Sequence, residues 1–499
     1  MLLVFVVILI ASILIPGAMI TVLIFNTGIV ILLSVLQIVI ALFPRFEPHR
    51  KNNIGHPFVS VLVPAYNEPP ALLMQTLEAL SALDYEHFEV LVIDNNTKDK
   101  NIWKPVETFT KSLGERFRFF HIDQLSGFKA GALNYALKRL DQKSEYVAVI
   151  DADYMVRSHF LKEALSYFAH ENIALVQFPQ QYRNCTDENR PINDEYRHFF
   201  KIYMNMANHL DCVPSTGTVS IYALYVLRQI GGFREEALTE DADVGLRIYG
   251  AGYRGVYVDR TIGYGLMPYD LESYRKQKWR WAFGNAQSLK TLFSLIGKIP
   301  FLSWLGFFAH LTAWGHLNFF PFAVLGAYTI VLLPFVPITW FHRQLLTVAS
   351  VSIFITLVSK MILFVVALRH QKKPLSRSLR AFAVHMGMTL VYSEAWLAML
   401  VQTRSAFERT NKFILSNMPS LLKNSYKELI LGIWFLVGTY EAMIWGTRTI
   451  TLIAFAVSAI TLFSIYYVFW KIYPTKIRSR DILFELERKY RAYCIPRSV

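Results

Sequence analysis

The chain has 499 residues, of which 54% are hydrophobic, 15% aromatic and only 18% charged, with a mean hydropathy of +0.31; this excludes a disordered chain and an ordinary soluble enzyme and points to a protein partly in lipid. Fifty-one Lys and Arg against 37 Asp and Glu leave a net charge of +14, which in an apolar chain marks cytoplasmic loops beside an anionic leaflet and argues against nucleic acid as a partner. The cysteines Cys185, Cys212 and Cys494 are too few and too far apart for a disulfide framework or a CxxC metal site, and read as free thiols.

Residues 1–43 are almost uninterrupted apolar sequence, far beyond the ~20 residues that one helix needs to cross a bilayer. The polar break at Asn26, Thr27 and Gly28 predicts two helices, 2–24 and 28–43, in an N-terminal membrane unit of residues 1–45. A signal peptide fits less well, because no basic region precedes the apolar run and no cleavage site is evident.

Residues 46–292 read as one globular domain in which Val/Ile-rich strands alternate with helical segments: 58–64, 88–94, 146–151 and 173–178. That alternation predicts a largely parallel α/β sheet. The first three strands end at Tyr66-Asn67-Glu68, Asp94-Asn95-Asn96 and Asp151-Ala152-Asp153, and open α/β sheets bind ligands at the carboxyl ends of their strands.

Residues 293–470 are apolar and aromatic again. The basic cluster from Arg369 to Arg380 and the basic tail 471–499 belong on the cytoplasmic side. Spans near 316–338, 345–368, 428–445 and 449–470 satisfy that sidedness if 298–314 and 380–402 lie at the interface, for about six spans in all. The segment 380–402 is long enough to cross, and it contains Glu394.

Two carboxylates spaced i, i+2 at a strand end, Asp151 and Asp153, can together hold a divalent cation and the diphosphate that it bridges. A DxD alone more often marks a solvated turn, and Asp94 alone reads as a turn or helix cap. Thr239-Glu240-Asp241 falls near a helix start, where N-capping and dipole complementarity would explain Thr239 and Asp243. Gln277, Arg280 and Trp281 share one helical face, and an Arg and a Trp near lipid are ordinarily interfacial anchors. No GxGxxG, GxxxxGK or HExxH is present, and the lone histidines, including His121, His310, His316 and His385, lack metal-ligand spacing.

The ordered set is more specific than its parts. VPAYNE (63–68), Asp94, GFKAGALN (127–134), DAD (151–153), TED (239–241) and QKWRW (277–281), flanked by membrane helices, resembles the processive family-2 glycosyltransferases with a Rossmann-like GT-A fold, the group of cellulose, chitin and hyaluronan synthases. YNEPP, IDNNTKD, FRFFHID, GFKAGALNYAL and GYGLMPYD look most like the bacterial synthases of β-1,3-type glucans. The resemblance implies that Asp94 binds the nucleotide, that Glu68 and Lys129 belong to the nucleotide-sugar site, and that Asp151 and Asp153 hold Mg²⁺ or Mn²⁺ with the sugar diphosphate. It implies Asp241 as general base, Arg280 beside the leaving diphosphate, and Trp281 as an acceptor platform, with Gln277, Glu240 and Thr239 in the acceptor site. Phe407, Arg409, Thr410 and Lys412 resemble the FxVTxK gating loop, here 403–426, with Arg409 in place of the Val.

Two departures accompany the match: Asp94-Asn95-Asn96 stands where DDG is common, and no cyclic-dinucleotide-binding domain is expected after the last span. The implied protein is a multi-pass enzyme of the bacterial inner membrane with a cytoplasmic catalytic domain. It would polymerise a β-glucan, β-1,3-linked, from UDP-glucose by an inverting reaction and pass the polysaccharide through the bilayer. The alternatives are another β-polysaccharide (β-1,4-glucan, mannan or an N-acetylglucosamine polymer) and single transfers to a lipid carrier.

Overall fold

The computed structural model describes residues 2–44, 46–187, 189–268, 271–314, 339–369 and 372–401, with residues 324, 426–430, 432–433, 436–437, 440, 464 and 485–489. The anticipated spans 316–338, 428–445 and 449–470, the gating-type loop with Phe407, Arg409, Thr410 and Lys412, and the tail 471–499 lie wholly or mostly outside the described residues.

Two helices open the chain, α1 (Leu2–Leu14) and α2 (Pro16–Leu42). The break therefore falls at Ile15-Pro16 and not at Asn26–Gly28. Pro16 has no N–H to continue a helix and suits a first-turn position, and Ile15 leaves helical geometry with φ −135° and ψ 54°. Asn26 and Thr27 do not interrupt α2 because they are buried against a partner helix. Thr27 Oγ1 donates to Leu23 O at 2.7 Å and lies 2.5 Å from Ser352 Oγ.

The globular part runs β1 (Phe58–Ala65), α3 (Pro70–Ser81), β2 (Phe88–Asn95), α4 (Lys100–Ser112), β3 (Phe117–Ile122), α5 (Phe128–Leu137), β4 (Ser144–Val149), β5 (Met155–Val156), α6 (Phe160–Leu165) and β6 (Ile173–Gln177). It continues with α7 (Arg190–His209), β7 (Ser220–Ala223), α8 (Leu224–Gln229), α9 (Glu240–Gly250), β8 (Arg254–Tyr257), β9 (Gly263–Tyr264) and α10 (Leu271–Phe293). Seven strands form one sheet in the order β3-β2-β1-β4-β7-β6-β8. The strands β3, β2, β1 and β4 are parallel, as are β6 and β8, whereas β7 runs antiparallel between β4 and β6. The sheet is fully sandwiched: β1 and β2 are almost entirely buried, which is why they read as continuous apolar runs instead of alternating ones.

Beyond α10 come α11 (Phe301–Leu311), α12 (Trp340–Arg369), α13 (Leu375–Gly387) and α14 (Thr389–Val401). Among the described residues three helices are long and apolar enough to cross a membrane: Pro16–Leu42, Trp340–Leu368 and the combined Leu375–Val401. The last contains the segment expected at the interface; it bends at Met388, and Glu394 within it accepts from Lys427 Nζ at 2.5 Å.

Helix α7 joins the two halves of the molecule. Arg377 of α13 donates to both carboxylate oxygens of the buried Asp194, at 2.7 and 2.5 Å. Lys360 of α12 donates to Tyr203 at 3.0 Å, and His198 stacks on Phe364 with centroids 3.8 Å apart. The globular part and the apolar helices are therefore tied to each other along this helix.

Candidate active site

The carboxyl ends of β1, β2 and β4, the loop before β7, the start of α9 and one face of α10 converge on a cavity of about 270 Å³. Its wall holds ten of the residues expected from the sequence: Glu68, Lys129, Asp151, Asp153, Thr239, Glu240, Asp241, Gln277, Arg280 and Trp281. Strand direction explains the convergence, since parallel strands open their loops on a single edge of the sheet.

Asp94 stands one layer behind the wall. Its Oδ1 accepts from Thr97 Oγ1 at 2.6 Å and its Oδ2 lies 2.7 Å from His121 Nδ1, while the His121 ring stacks on Trp103 at 4.1 Å. Its neighbours Asn95 and Asn96 line the cavity. Burial raises the Asp94 carboxyl above its ordinary range against the opposing bonds from Thr97 and His121.

Lys129 is the electrostatic hub. Gly127, at φ 77°, turns the chain into α5 so that Lys129 falls in its first turn. Its Nζ donates to Asp151 Oδ1 at 2.6 Å and to Gly217 O at 2.7 Å, and lies 3.8 Å from Glu240 Oε1. Burial pulls the ammonium down, but the Asp151 and Glu240 charges outweigh it and hold it above its usual value.

Asp241 sits in the first turn of α9, its Oδ1 accepting from Ala242 N at 2.9 Å. Burial, then the neighbouring Glu240 charge, raises its carboxyl to about 7, with Lys129 opposing. The carboxylate is therefore poised to exchange a proton near neutral pH. Thr239 occupies the cap position but makes no capping bond. A Cβ on Gly284 would lie 2.4 Å from Thr239 Cγ2, so Thr239 and α10 are in close packing. Asp243, in contrast, is structural: it pairs with Arg247 at 2.6 Å and Arg234 at 3.0 Å.

On α10, Gln277 Oε1 accepts from the Tyr196 hydroxyl, and Trp281 lies edge-on to Tyr196 with centroids 5.7 Å apart. Arg280 lowers its guanidinium pKa through burial, opposed by Glu240, Asp151 and Asp241, and as an arginine it keeps its charge. A smaller cavity of about 50 Å³ continues past Trp281 and Asp241 toward Phe199, His310 and Trp314.

A metal would find two carboxylates here. Asp153 Oδ2 accepts from Leu266 N at 2.9 Å, which orients its side chain at the wall it shares with Asp151. Among the described residues no three His, Cys, Asp or Glu side chains converge as a complete ligand set. Two carboxylates completed by substrate phosphate and water are what Mg²⁺ and Mn²⁺ accept, so the residues fit such an ion.

Several wall residues escaped the sequence reading, among them Gln180, Tyr182, Thr216 and Gly217. Gln177 pins the loop that carries two of them, its Oε1 accepting from Thr216 N at 2.8 Å and its Nε2 donating to Thr218 O at 2.9 Å. The small polar run Ser215-Thr216-Gly217-Thr218 was a turn signal that could have been followed.

Comparison with known proteins defines the class. The mannosyltransferase PcManGT from Pyrobaculum calidifontis, solved with GDP-Man and Mn²⁺, is similar in fold with a TM-score of 0.51 and 19% identity, over 78% of this chain and 99% of that one. The fold is GT-A, an α/β fold with a parallel-dominated sheet. Residues 56–284 match the family described as "Glycosyltransferase like family 2"; the globular part is thus a glycosyltransferase family 2 domain.

The chain is also 27% identical over 252 residues to "Cellulose synthase catalytic subunit [UDP-forming]" of Xanthomonas axonopodis pv. citri (strain 306), covering 48% of this chain and 33% of that protein. It is 26% identical over 258 residues to "Probable glucomannan 4-beta-mannosyltransferase 14" of Arabidopsis thaliana, covering 48% of this chain and 46% of that protein. The match to the Xanthomonas subunit spans only a third of that protein's length.

Proposed function

We propose that this protein is a membrane-embedded, inverting, processive glycosyltransferase that builds a β-linked glucan from UDP-glucose and passes it across the bacterial inner membrane. The observation that carries the reading is the single cavity in which Asp241, raised to about 7, faces Lys129, Asp151, Asp153 and Arg280, with Trp281 on its wall. In this reading Asp241 takes the proton of the acceptor hydroxyl as that oxygen attacks the anomeric carbon from the side opposite the leaving diphosphate. An α-linked donor then gives a β-glycoside. Lys129 and Arg280 offset the charge developing on the diphosphate, and Asn95, Asn96 and Glu68 line the nucleotide side, with Asp94 holding the strand end behind them. Asp151 and Asp153 would hold the divalent cation, which when bound neutralises diphosphate charge and so eases departure of the nucleotide. Trp281 offers the acceptor ring a flat apolar surface, with Gln277, Glu240 and Thr239 around it.

The β-1,3 linkage anticipated from the sequence has no support among the relatives above. A β-1,4 product is the second reading, favoured by the names of the cellulose synthase and glucomannan 4-β-mannosyltransferase relatives. The test is nucleotide release by the purified protein in lipid with UDP-glucose, UDP-N-acetylglucosamine or GDP-mannose and Mg²⁺ or Mn²⁺, beside Asp241→Asn. A long polymer from one donor, absent in the variant, is the expected result, and linkage-specific glucanases then assign the bond. Single transfers to lipid would overturn processivity, and no turnover with any donor would overturn the enzyme reading.

A further inference from the structure

One charge within the QKWRW stretch has no part in the chemistry above. Lys278 and Glu195 both have side chains with 0% exposure, and Lys278 Nζ donates to Glu195 Oε2 at 2.6 Å. Burying two charges is unfavourable, and a buried pair often stabilises no more than an apolar pair of the same volume. Stability alone therefore does not explain it, and what surrounds the pair does.

The ammonium is enclosed by aromatic rings. Its Nζ lies 3.8 Å from the Trp314 centroid, 4.3 Å from Tyr196, 4.9 Å from Trp281 and 5.3 Å from Tyr274. A cation within about 6 Å of a ring centroid attracts its face, most strongly when both are desolvated. Trp281 thus shares one cation with Trp314, and the two rings are 5.4 Å apart. Both belong to the smaller cavity that extends the site past Asp241.

Glu195 carries the connection onward. The Tyr274 hydroxyl donates to its Oε2 at 3.1 Å, and His385 Nδ1 lies 3.2 Å from its Oε1. His385 is on α13, the helix that Arg377 also ties to Asp194. The cluster runs without a gap from α10 through α7 into the apolar helices.

We propose that Lys278 is a positioning residue for the acceptor: its ammonium, pinned by Glu195, fixes the Trp281 ring at the cavity wall and locks that wall to helix Leu375–Gly387. This rests on the reading of Trp281 as the acceptor surface. Because displacement of a bound group by about 1 Å can change a rate up to about 100-fold, a fixed wall matters for an acceptor that must present one hydroxyl to Asp241. Lys278 itself touches no reacting atom.

The test compares the wild-type chain in lipid with K278M/E195Q, which removes both charges and leaves none unpaired, and with the conservative K278R. Expected for K278M/E195Q, with a melting temperature near wild type, is an acceptor KM raised about tenfold and a kcat lowered less than about threefold. UDP affinity by calorimetry stays within about twofold, and K278R recovers most of the acceptor KM. An unchanged acceptor KM in the folded double variant, or an equal loss of UDP affinity, overturns the proposal. The Trp281 emission, taken as the difference between each protein and its W281F counterpart, shifts to the red in the K278M/E195Q background whether or not any donor turns over. Absence of that shift also overturns the positioning role, whereas a shift in a protein that turns over no donor leaves the positioning of Trp281 standing and removes the acceptor reading on which its purpose rests.

Discussion

Gly217 and Asp241 approach so closely that a Cβ on Gly217 would lie 2.7 Å from Asp241 Oδ2 and 3.3 Å from Lys129 Nζ. The loop before β7 thus defines how far the carboxylate can swing, and Gly217, at φ +80°, also holds a backbone conformation that favours glycine. Gly217→Ala is expected to lose about 1 kcal/mol of stability from the backbone alone. The displaced carboxylate should lower donor turnover more than tenfold, on the order expected for a misplaced catalytic group. Thermal melting and nucleotide release on the same preparation separate the two effects; a variant that melts lower but turns over normally would show that the contact does not orient Asp241.

The raised Asp241 carboxyl predicts a pH profile. In its proposed role as general base Asp241 works when deprotonated, so kcat/KM for nucleotide release should rise with pH up to about 7 and level off above it. Asp241→Asn should abolish that limb and lower turnover at least about 100-fold. The sign for stability is opposite. The folded-state pKa is above the unfolded one, so the folded chain holds this proton more tightly, and the stabilisation present below the ordinary value of 3.8 is lost as pH rises through about 7. Above that pH Asp241→Asn should melt no lower than the wild type, and a lower melting temperature there would argue against burial as the cause of the shift.

How much of this was visible beforehand depends on the range of the interactions involved. Strands β1, β2 and β4 were legible because residues such as Val61 and Val92 sit in unbroken apolar runs ending in polar turns, a local signal of a strand buried on both faces. The helix start at Glu240 and the shared face of Gln277, Arg280 and Trp281 were legible for the same reason. Strand β7, only Ser220–Ala223, is too short to show a period, and its antiparallel direction comes from pairing with β4 and β6. The helix break was misplaced because Thr27 finds its partner Ser352 at a separation of 325 residues, which no local pattern records. The same holds for Lys278 and Glu195, 83 residues apart. Asp94 was legible as a strand end, but its place behind Asn95 and Asn96 follows from His121 on β3.

The proposed metal role of Asp151 and Asp153 predicts that nucleotide binding depends on a divalent cation. Because the ammonium already bonds Asp151 Oδ1 at 2.6 Å, a divalent cation with diphosphate has to share or rearrange that contact, and two carboxylates alone hold such an ion weakly. Chelation is therefore expected to lower UDP affinity at least tenfold, an order of magnitude set by charge-assisted contacts to phosphate. Added Mn²⁺ or Mg²⁺ restores it. Asp153→Asn should mimic chelation and should not respond to added metal. Calorimetric titration of UDP with and without chelator decides the matter, and equal affinity in both would remove the metal role of Asp151 and Asp153.

The packing of Gly284 on Thr239 ties the helix that carries Arg280 and Trp281 to the helix that carries Asp241. A Cβ at 284 would fall 2.4 Å from Thr239 Cγ2 and 2.5 Å from its Oγ1, both on a buried side chain that has little room to withdraw. Gly284→Ala improves helix propensity by about 1 kcal/mol but forces α10 away from the start of α9, at a cost typical of overpacking, about 1–3 kcal/mol. The shift acts directly on the distance between Asp241 and Trp281, the proposed general base and acceptor surface, and it leaves the Lys129–Asp151 side of the cavity in place. Gly284→Ala is thus expected to keep UDP affinity within about twofold while polymer yield falls more than tenfold, and Thr239→Ser, by removing the methyl group and leaving only the smaller hydroxyl to be accommodated, should restore part of it. Calorimetry for UDP beside product sizing for the single and double variants checks this, and a parallel loss of UDP binding would mean that Gly284 supports the whole cavity and not the acceptor side alone.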